Sequence, residues 1–180
     1  AATVRERSLD RSLTLAARRR VSLYGISLLL ILVLAAFLRV RGLTQRSLWY
    51  DEQASVEIAK APWSEFAQRV RTSEITPPLY YAILKLWISV AGSSDASVRT
   101  PSLIFGVASV WMISRLTRRL LGRRQAILAA LLLACWGYAI EYSQETRAYS
   151  LSVLLAIWST DEFVILRRRP TTARGSGARV

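Results

Sequence analysis

The sequence predicts an all-α membrane protein, a bundle of several spanning helices. Three observations carry that reading: uncharged apolar runs long enough to cross a bilayer, arginine blocks at their ends, and a long amphipathic stretch between the first two runs. The 180 residues are 52% hydrophobic yet carry a formal net charge of +13. A soluble domain that apolar does not usually hold so many cations, whereas spans need apolar length and use Arg to fix their direction. Because the arginines end apolar runs and form no stripe of base-reading or stacking residues, a nucleic-acid partner is not expected.

The first run, Val21 to Leu38, lies between Arg18-Arg19-Arg20 and Arg39, and reaches roughly 27 Å at about 1.5 Å per residue. It exceeds the apolar core of a signal peptide and is followed by Arg39-Val40-Arg41 instead of a small-residue cleavage site, so it reads as a retained span. A second span over 100–114 opens on Thr100-Pro101, the pair favoured at a helix cap and first position. A third is expected over 125–140. The fourth, 148–166, is weakened by Asp161 and Glu162, because a carboxylate at a helix centre costs about 2.5 to 3.5 kcal/mol and less near the end.

Whether Pro78 to Gly92 crosses decides the direction of everything after it. If it stays on one side, three Arg-rich regions share a face: six Arg in the N-terminal segment 1–20, five between Arg115 and Arg124 and five in the tail, sixteen of the twenty-three. Positive charge gathers on the cytoplasmic side, so the non-crossing arrangement is expected. Leu79, Ile83, Leu86 and Val90 form one helical stripe there and Tyr81, Lys85 and Ser89 another. Pro62 to Arg71 similarly puts Trp63, Phe66, Ala67 and Val70 on one side. Both stripes fit helices lying along the membrane interface, and both fit packing against neighbouring spans. The expected plan is a basic cytoplasmic N-terminus (1–20), a transmembrane domain (21–166) with an external loop 39–99, and a basic disordered tail (167–180), with both termini cytoplasmic in the plasma membrane.

Only that loop and the short one from Glu141 to Arg147 share the outer side, which lets Asp51, Glu52, Glu141, Glu145 and Arg147 meet. A carboxylate there can take the proton of an acceptor hydroxyl while a cation holds a departing lipid phosphate. Asp51 is the candidate base, with Glu52, Tyr81, Lys85, Glu145, Arg147 and Tyr149 as candidate substrate-binding residues. Each has a plainer reading. Asp51 suits a helix N-cap, Glu52 a structural pairing with a cation or backbone donor, Arg147 and Tyr149 interfacial anchoring, and Lys85 snorkelling. The chain has no His and one Cys, which excludes a Ser-His-Asp arrangement, a Cys/His metal site and an internal disulfide. Carboxylates beside a phosphate could recruit a divalent ion, but no ligand spacing specifies one, so no cofactor is assigned.

Five segments in order, Ser47-Leu-Trp-Tyr-Asp-Glu52, Thr76-Pro-Pro-Leu-Tyr-Tyr81, Arg99-Thr-Pro-Ser102, Arg119-Leu-Leu-Gly-Arg-Arg124 and Tyr142-Ser-Gln-Glu-Thr-Arg-Ala-Tyr149, resemble the amino-terminal part of bacterial family 39 glycosyltransferases. These are relatives of the protein O-mannosyltransferases and of the lipid A aminoarabinose transferase. The resemblance implies a GT-C-like membrane fold with interfacial helices in the first external loop, a polyprenyl-phosphate sugar donor as partner, and inverting transfer to an acceptor hydroxyl outside the cytoplasm. Its catalytic Asp maps to Asp51, and its second-loop Arg and Tyr map to Arg147 and Tyr149. Such enzymes run to several hundred residues with more spans, so the chain reads as truncated, with little or no transferase activity expected of it alone. A non-catalytic membrane subunit is the main alternative. A small transporter ranks last, because the stronger spans are uncharged apart from their ends.

Overall fold

The structure is a computed structural model and describes residues 23–72 and 77–168. The sequence-predicted N-terminal segment 1–20, the first two residues of the first span, Thr76 of the Thr-Pro-Pro segment and the tail from 169 onward lie outside the described residues. Eight helices and no strand occur among the described residues: α1 (Leu23–Val40), α2 (Tyr50–Lys60), α3 (Trp63–Thr72), α4 (Pro78–Ala91), α5 (Asp95–Leu120), α6 (Arg123–Cys135), α7 (Gly137–Glu141) and α8 (Tyr149–Arg168). Of these, α1, α5 and α8 are long and apolar enough to cross a membrane.

The bundle packs α5 against both α6 and α8. Helix α1 runs antiparallel to α5, with Tyr24 Oη 2.8 Å from Ser114 Oγ near its start and Arg39 against Gly106 near its end. Ile31, Ala35, Val110, Ala130 and Ala134 fill the seam between α1, α5 and α6. Ala126, Ala130 and Ala134 recur every fourth residue on α6 and are fully buried, so small side chains let these helices approach closely. A second cluster, Val56, Ala59, Tyr80, Leu84, Val98, Ala148 and Leu151, joins α2 and α4 to the starts of α5 and α8.

Two expectations about these elements change. Helix α5 begins at Asp95 behind the Ser94 cap, so Pro101 lies inside it and is not its first residue. Proline has no N–H for the carbonyl four residues earlier. That carbonyl, on Ser97, instead accepts the Trp87 indole N–H at 2.9 Å, which lets the helix pass through Pro101. The run 125–140 is not one helix: the chain becomes extended at Trp136 (φ −70°, ψ 118°) and restarts as α7. Buried Arg39 stabilises the break by donating to the exposed carbonyl ends of α6, Ala134 at 3.2 Å and Leu133 at 3.4 Å, and also to Ala35. On α4 the buried face is Tyr80, Tyr81, Leu84 and Lys85, while Leu79, Leu86 and Val90 of the apolar stripe point outward. No α3 side chain is buried.

The carboxylates in the last long helix have partners. Asp161 is fully buried, with Arg115 Nε at 3.1 Å and Arg119 Nε at 3.2 Å, and Glu162 lies 4.0 Å from Arg115. Two cations from α5 thus neutralise the anion that interrupts the apolar run of α8.

Candidate active site

The site end of the bundle is organised by one buried ion pair. Glu52 lies in the first turn of α2, and its side chain turns inward, 2% exposed. Arg99, one turn into α5 and equally buried, donates to both of its oxygens, Nε to Oε1 at 3.0 Å and Nη2 to Oε2 at 2.7 Å. The same carboxylate accepts the backbone N–H of Thr146 at 2.7 Å and of Trp49 at 3.1 Å. Arg99 spends its remaining donors on the carbonyls of Leu43, Arg46 and Ser47. One Glu–Arg pair therefore folds the 41–49 loop around α5, caps α2 and ties the second loop to the first. Bidentate geometry with every lone pair used is what makes a buried pair tolerable.

Gln144 adds a second tie by donating to the carbonyls of Leu38 and Arg39, and Arg46 reaches Glu141 at 3.4 Å on the surface. Beneath them Arg39 Nε donates to Ser143 Oγ at 3.1 Å. Gly106 permits this packing: a Cβ there would stand 2.1 Å from Ser143 Oγ and 2.9 Å from Arg39 Nε.

Against this frame Asp51 behaves differently from its neighbour. It is the second residue of α2, whose cap is Trp49, so the N-cap reading of Asp51 does not hold. Its side chain is 66% exposed, and its nearest cation, Arg147 Nη2, is 3.8 Å away. Arg147 is itself mostly buried, stacks over the Tyr149 ring at 5.8 Å and directs Nη1 toward the Asp51 carbonyl. Tyr80, fully buried, places its hydroxyl 2.9 Å from Ser102 Oγ, which donates to the Arg147 carbonyl and fixes that backbone. Tyr149 remains partly exposed and packs on Tyr142 with ring centres 4.8 Å apart.

Burial pushes the Glu52 carboxyl upward, but Arg99 and the amides of Thr146 and Trp49 outweigh it and hold the group below the ordinary range. Glu145 shows the opposite balance. Burial, followed by the charges of Glu52 and Glu141, raises it despite Arg147 and Arg99. Burial likewise raises the Tyr80 phenol.

Asp51, Glu52, Glu145, Arg147 and Tyr149 thus come together at one end of the bundle. Lys85 does not join them. Its ammonium donates to the carbonyls of Ala59 and Ala61 and lies 4.6 Å from the Trp63 ring centre and 5.2 Å from that of Phe66. It caps the far end of α2, about 15 Å along the helix from Asp51, where burial replaces the expected snorkelling. Tyr81 is enclosed in the buried face of α4. The sequence reading missed Arg99 and Thr146 as partners of Glu52, and Arg39 as the support under Ser143. A cation at each edge of an apolar run was the available signal, although such residues commonly serve only as end anchors. Among the described residues, no three His, Cys, Asp or Glu side chains are placed to hold a metal ion.

A cleft of about 380 Å³ opens beside the break between α6 and α7, lined by Arg39, Ser109, Leu133, Trp136, Tyr138 and Tyr142 among others. Its aromatic row continues through Tyr142 to Tyr149 and so to Arg147.

An all-helical membrane protein with a buried Glu–Arg tie and a half-free Asp–Arg pair at one end defines the class. The family model described as dolichyl-phosphate-mannose-protein mannosyltransferase matches residues 76–171, more than half of the chain, and the chain belongs to that family of membrane glycosyltransferases. The match includes Lys85, Arg99, Glu145, Arg147 and Tyr149; Asp51 and Glu52 precede it. No curated protein and no solved structure matches the chain.

Proposed function

We propose that this end of the bundle faces the outside of the cytoplasmic membrane and serves sugar transfer from a polyprenyl-phosphate donor to an acceptor hydroxyl, with inversion. The observation that carries this reading is the contrast within one dipeptide: Glu52 is saturated by four donors, while adjacent Asp51 is exposed with a single cation at 3.8 Å. Asp51 takes the acceptor proton as its oxygen attacks the sugar, and the Arg147 guanidinium holds the departing phosphate, so a single displacement needs no general acid. The glycoside-hydrolase plan needs two carboxylates on opposite sides of the bond, and Glu52 is not free to act as the second. The aromatic cleft, joined to Arg147 through the stacked Tyr142 and Tyr149 rings, suits the lipid part of such a donor.

Orientation follows from charge. The opposite end carries Arg115, Arg118, Arg119, Arg123 and Arg124, which belong on the cytoplasmic side. Helix α4, at about 21 Å, is shorter than a crossing. It packs on the first turns of α5 through Tyr80–Ser102 and Trp87–Ser97, at the level of the Arg99 tie. Helices α2 to α4 therefore form an outer layer, and α6 with α7 makes one broken crossing.

Donor binding and transfer separate the two roles. In proteoliposomes with polyprenyl-phosphate mannose, Arg147→Gln weakens donor binding, whereas Asp51→Asn leaves binding intact. In a longer family member, replacing the Asp that aligns with Asp51 abolishes transfer; unchanged turnover there removes Asp51 as the base.

A further inference from the structure

The end of the bundle remote from Asp51 gathers the starts of α1 and α6 and the ends of α5 and α8, held by Tyr24–Ser114 and by Arg115 and Arg119 on Asp161. Most cations there are engaged. Arg115 and Arg119 face Asp161, Arg118 lies over the Tyr24 ring at 5.4 Å and Arg167 over Phe163 at 5.7 Å. Arg123 and Arg124 have no hydrogen bond, ion pair or ring contact among the described residues. Both border an open groove of about 800 Å³ between α1 and α6, walled by Leu23, Ile127 and Leu128 with Tyr24 and Ser27 beside them. The only described carboxylates at this end, Asp161 and Glu162, are turned to α5, so no carboxylate among the described residues offsets the two guanidinium groups in the groove.

We propose that this groove binds an anionic phospholipid of the adjoining leaflet, with its phosphate between Arg123 and Arg124 and an acyl chain along Leu23, Ile127 and Leu128. Charge and shape select this ligand together. A small soluble anion has no use for the apolar wall, and a neutral apolar guest has none for the two guanidinium groups, whereas a lipid with a net negative head group satisfies both. Basic pockets between spanning helices on the cytoplasmic side bind such head groups. The free amides at the start of α6, whose cap Gly122 contributes no side chain, add to the positive field. The site lies at the opposite end from the sugar-transfer residues and stands independently of their assignment.

Native mass spectrometry of the purified full chain in neutral detergent, titrated with phosphatidylglycerol or phosphatidylcholine of the same acyl chains, tests it. Phosphatidylglycerol is expected to bind more tightly. With each surface Arg contributing about a five-fold factor, Arg123→Gln/Arg124→Gln should weaken it roughly 30-fold. Arg167→Gln/Arg168→Gln, which removes the same charge elsewhere on this end, should change binding by less than about three-fold. Ser27→Trp, which fills the groove without altering charge, should also lose the preference. Equal binding of the two lipids, equal loss in both charge variants, or displacement by glycerol phosphate as effective as by the lipid would each overturn the proposal.

Discussion

Removing Glu52 should do more damage than removing any other single side chain at the site end. Glu52→Ala deletes four hydrogen bonds and leaves the Arg99 guanidinium, 3% exposed, facing only three loop carbonyls. Stranding one member of a buried pair costs about 3–5 kcal/mol. Glu52→Gln keeps the shape but exchanges an anion for a neutral amide, and hydrogen bonds to charged groups contribute about 1.5–3 kcal/mol, so its loss should fall near 2 kcal/mol. Replacing both partners, Glu52→Leu with Arg99→Met, should cost less than the sum of the single changes, because no charge is then left without a counterpart. Unfolding by sodium dodecyl sulfate in mixed micelles, followed by Trp fluorescence, provides the four corners of that cycle. A loss below about 0.5 kcal/mol for Glu52→Gln, or strict additivity of the pair, would refute the argument that this ion pair joins the two loops.

Four further outcomes follow from the same geometry. Because the Glu52 carboxyl is lowered in the folded chain, the stability it contributes is complete above the unfolded value near about pH 4.3 and is lost as pH falls through the folded value. Glu145 is raised, so its contribution fades as pH climbs from about 4.3 through its folded value, and Glu145→Gln should match or exceed wild type in stability at pH 7. Unfolding midpoints between pH 3 and 8 check both signs. Asp161→Asn leaves Arg115 and Arg119 facing a neutral amide and should cost about 2 kcal/mol, below a fully buried pair because both arginines stay about a third exposed; the same denaturation assay measures it. Gly106→Ala drives a methyl into Ser143 and Arg39 and should destabilise by about 1–3 kcal/mol, part of which Ser143→Gly restores.

The parts of this architecture legible in the sequence were those set by one residue's own surroundings. The α1 and α8 runs are such cases, since an apolar stretch ended by arginines needs no partner to be recognised. The meeting of the Asp51 and Arg147 loops was also expected from counting the spans, and the structure brings the two side chains to 3.8 Å. What stayed hidden depended on partners distant in the chain. Thr100-Pro101 looks like a helix start until the Trp87 indole takes the carbonyl that Pro101 leaves free. The break at Trp136 needs Arg39, nearly a hundred residues earlier, to hold the α6 carbonyls. Lys85 reads as snorkelling and Asp161 as costly in an apolar helix because neither the α2 carbonyl end nor the Arg115–Arg119 pair is visible in their local sequence. On α4 the stripe of Leu79, Leu86 and Val90 was clear, but its periodicity could not say whether it faces protein or bilayer.

The central claim is that the loops carrying Asp51 and Arg147 lie on the outer face of the membrane and the arginine-rich end on its cytoplasmic face. Single cysteines in a Cys135→Ser background, probed in intact cells with a membrane-impermeant maleimide, address it most directly. Gln53→Cys beside Asp51 and Glu141→Cys beside the second loop should label from outside, and Arg118→Cys only after the cells are permeabilised. Labelling of Arg118→Cys in intact cells, or protection of Gln53→Cys until permeabilisation, would contradict it.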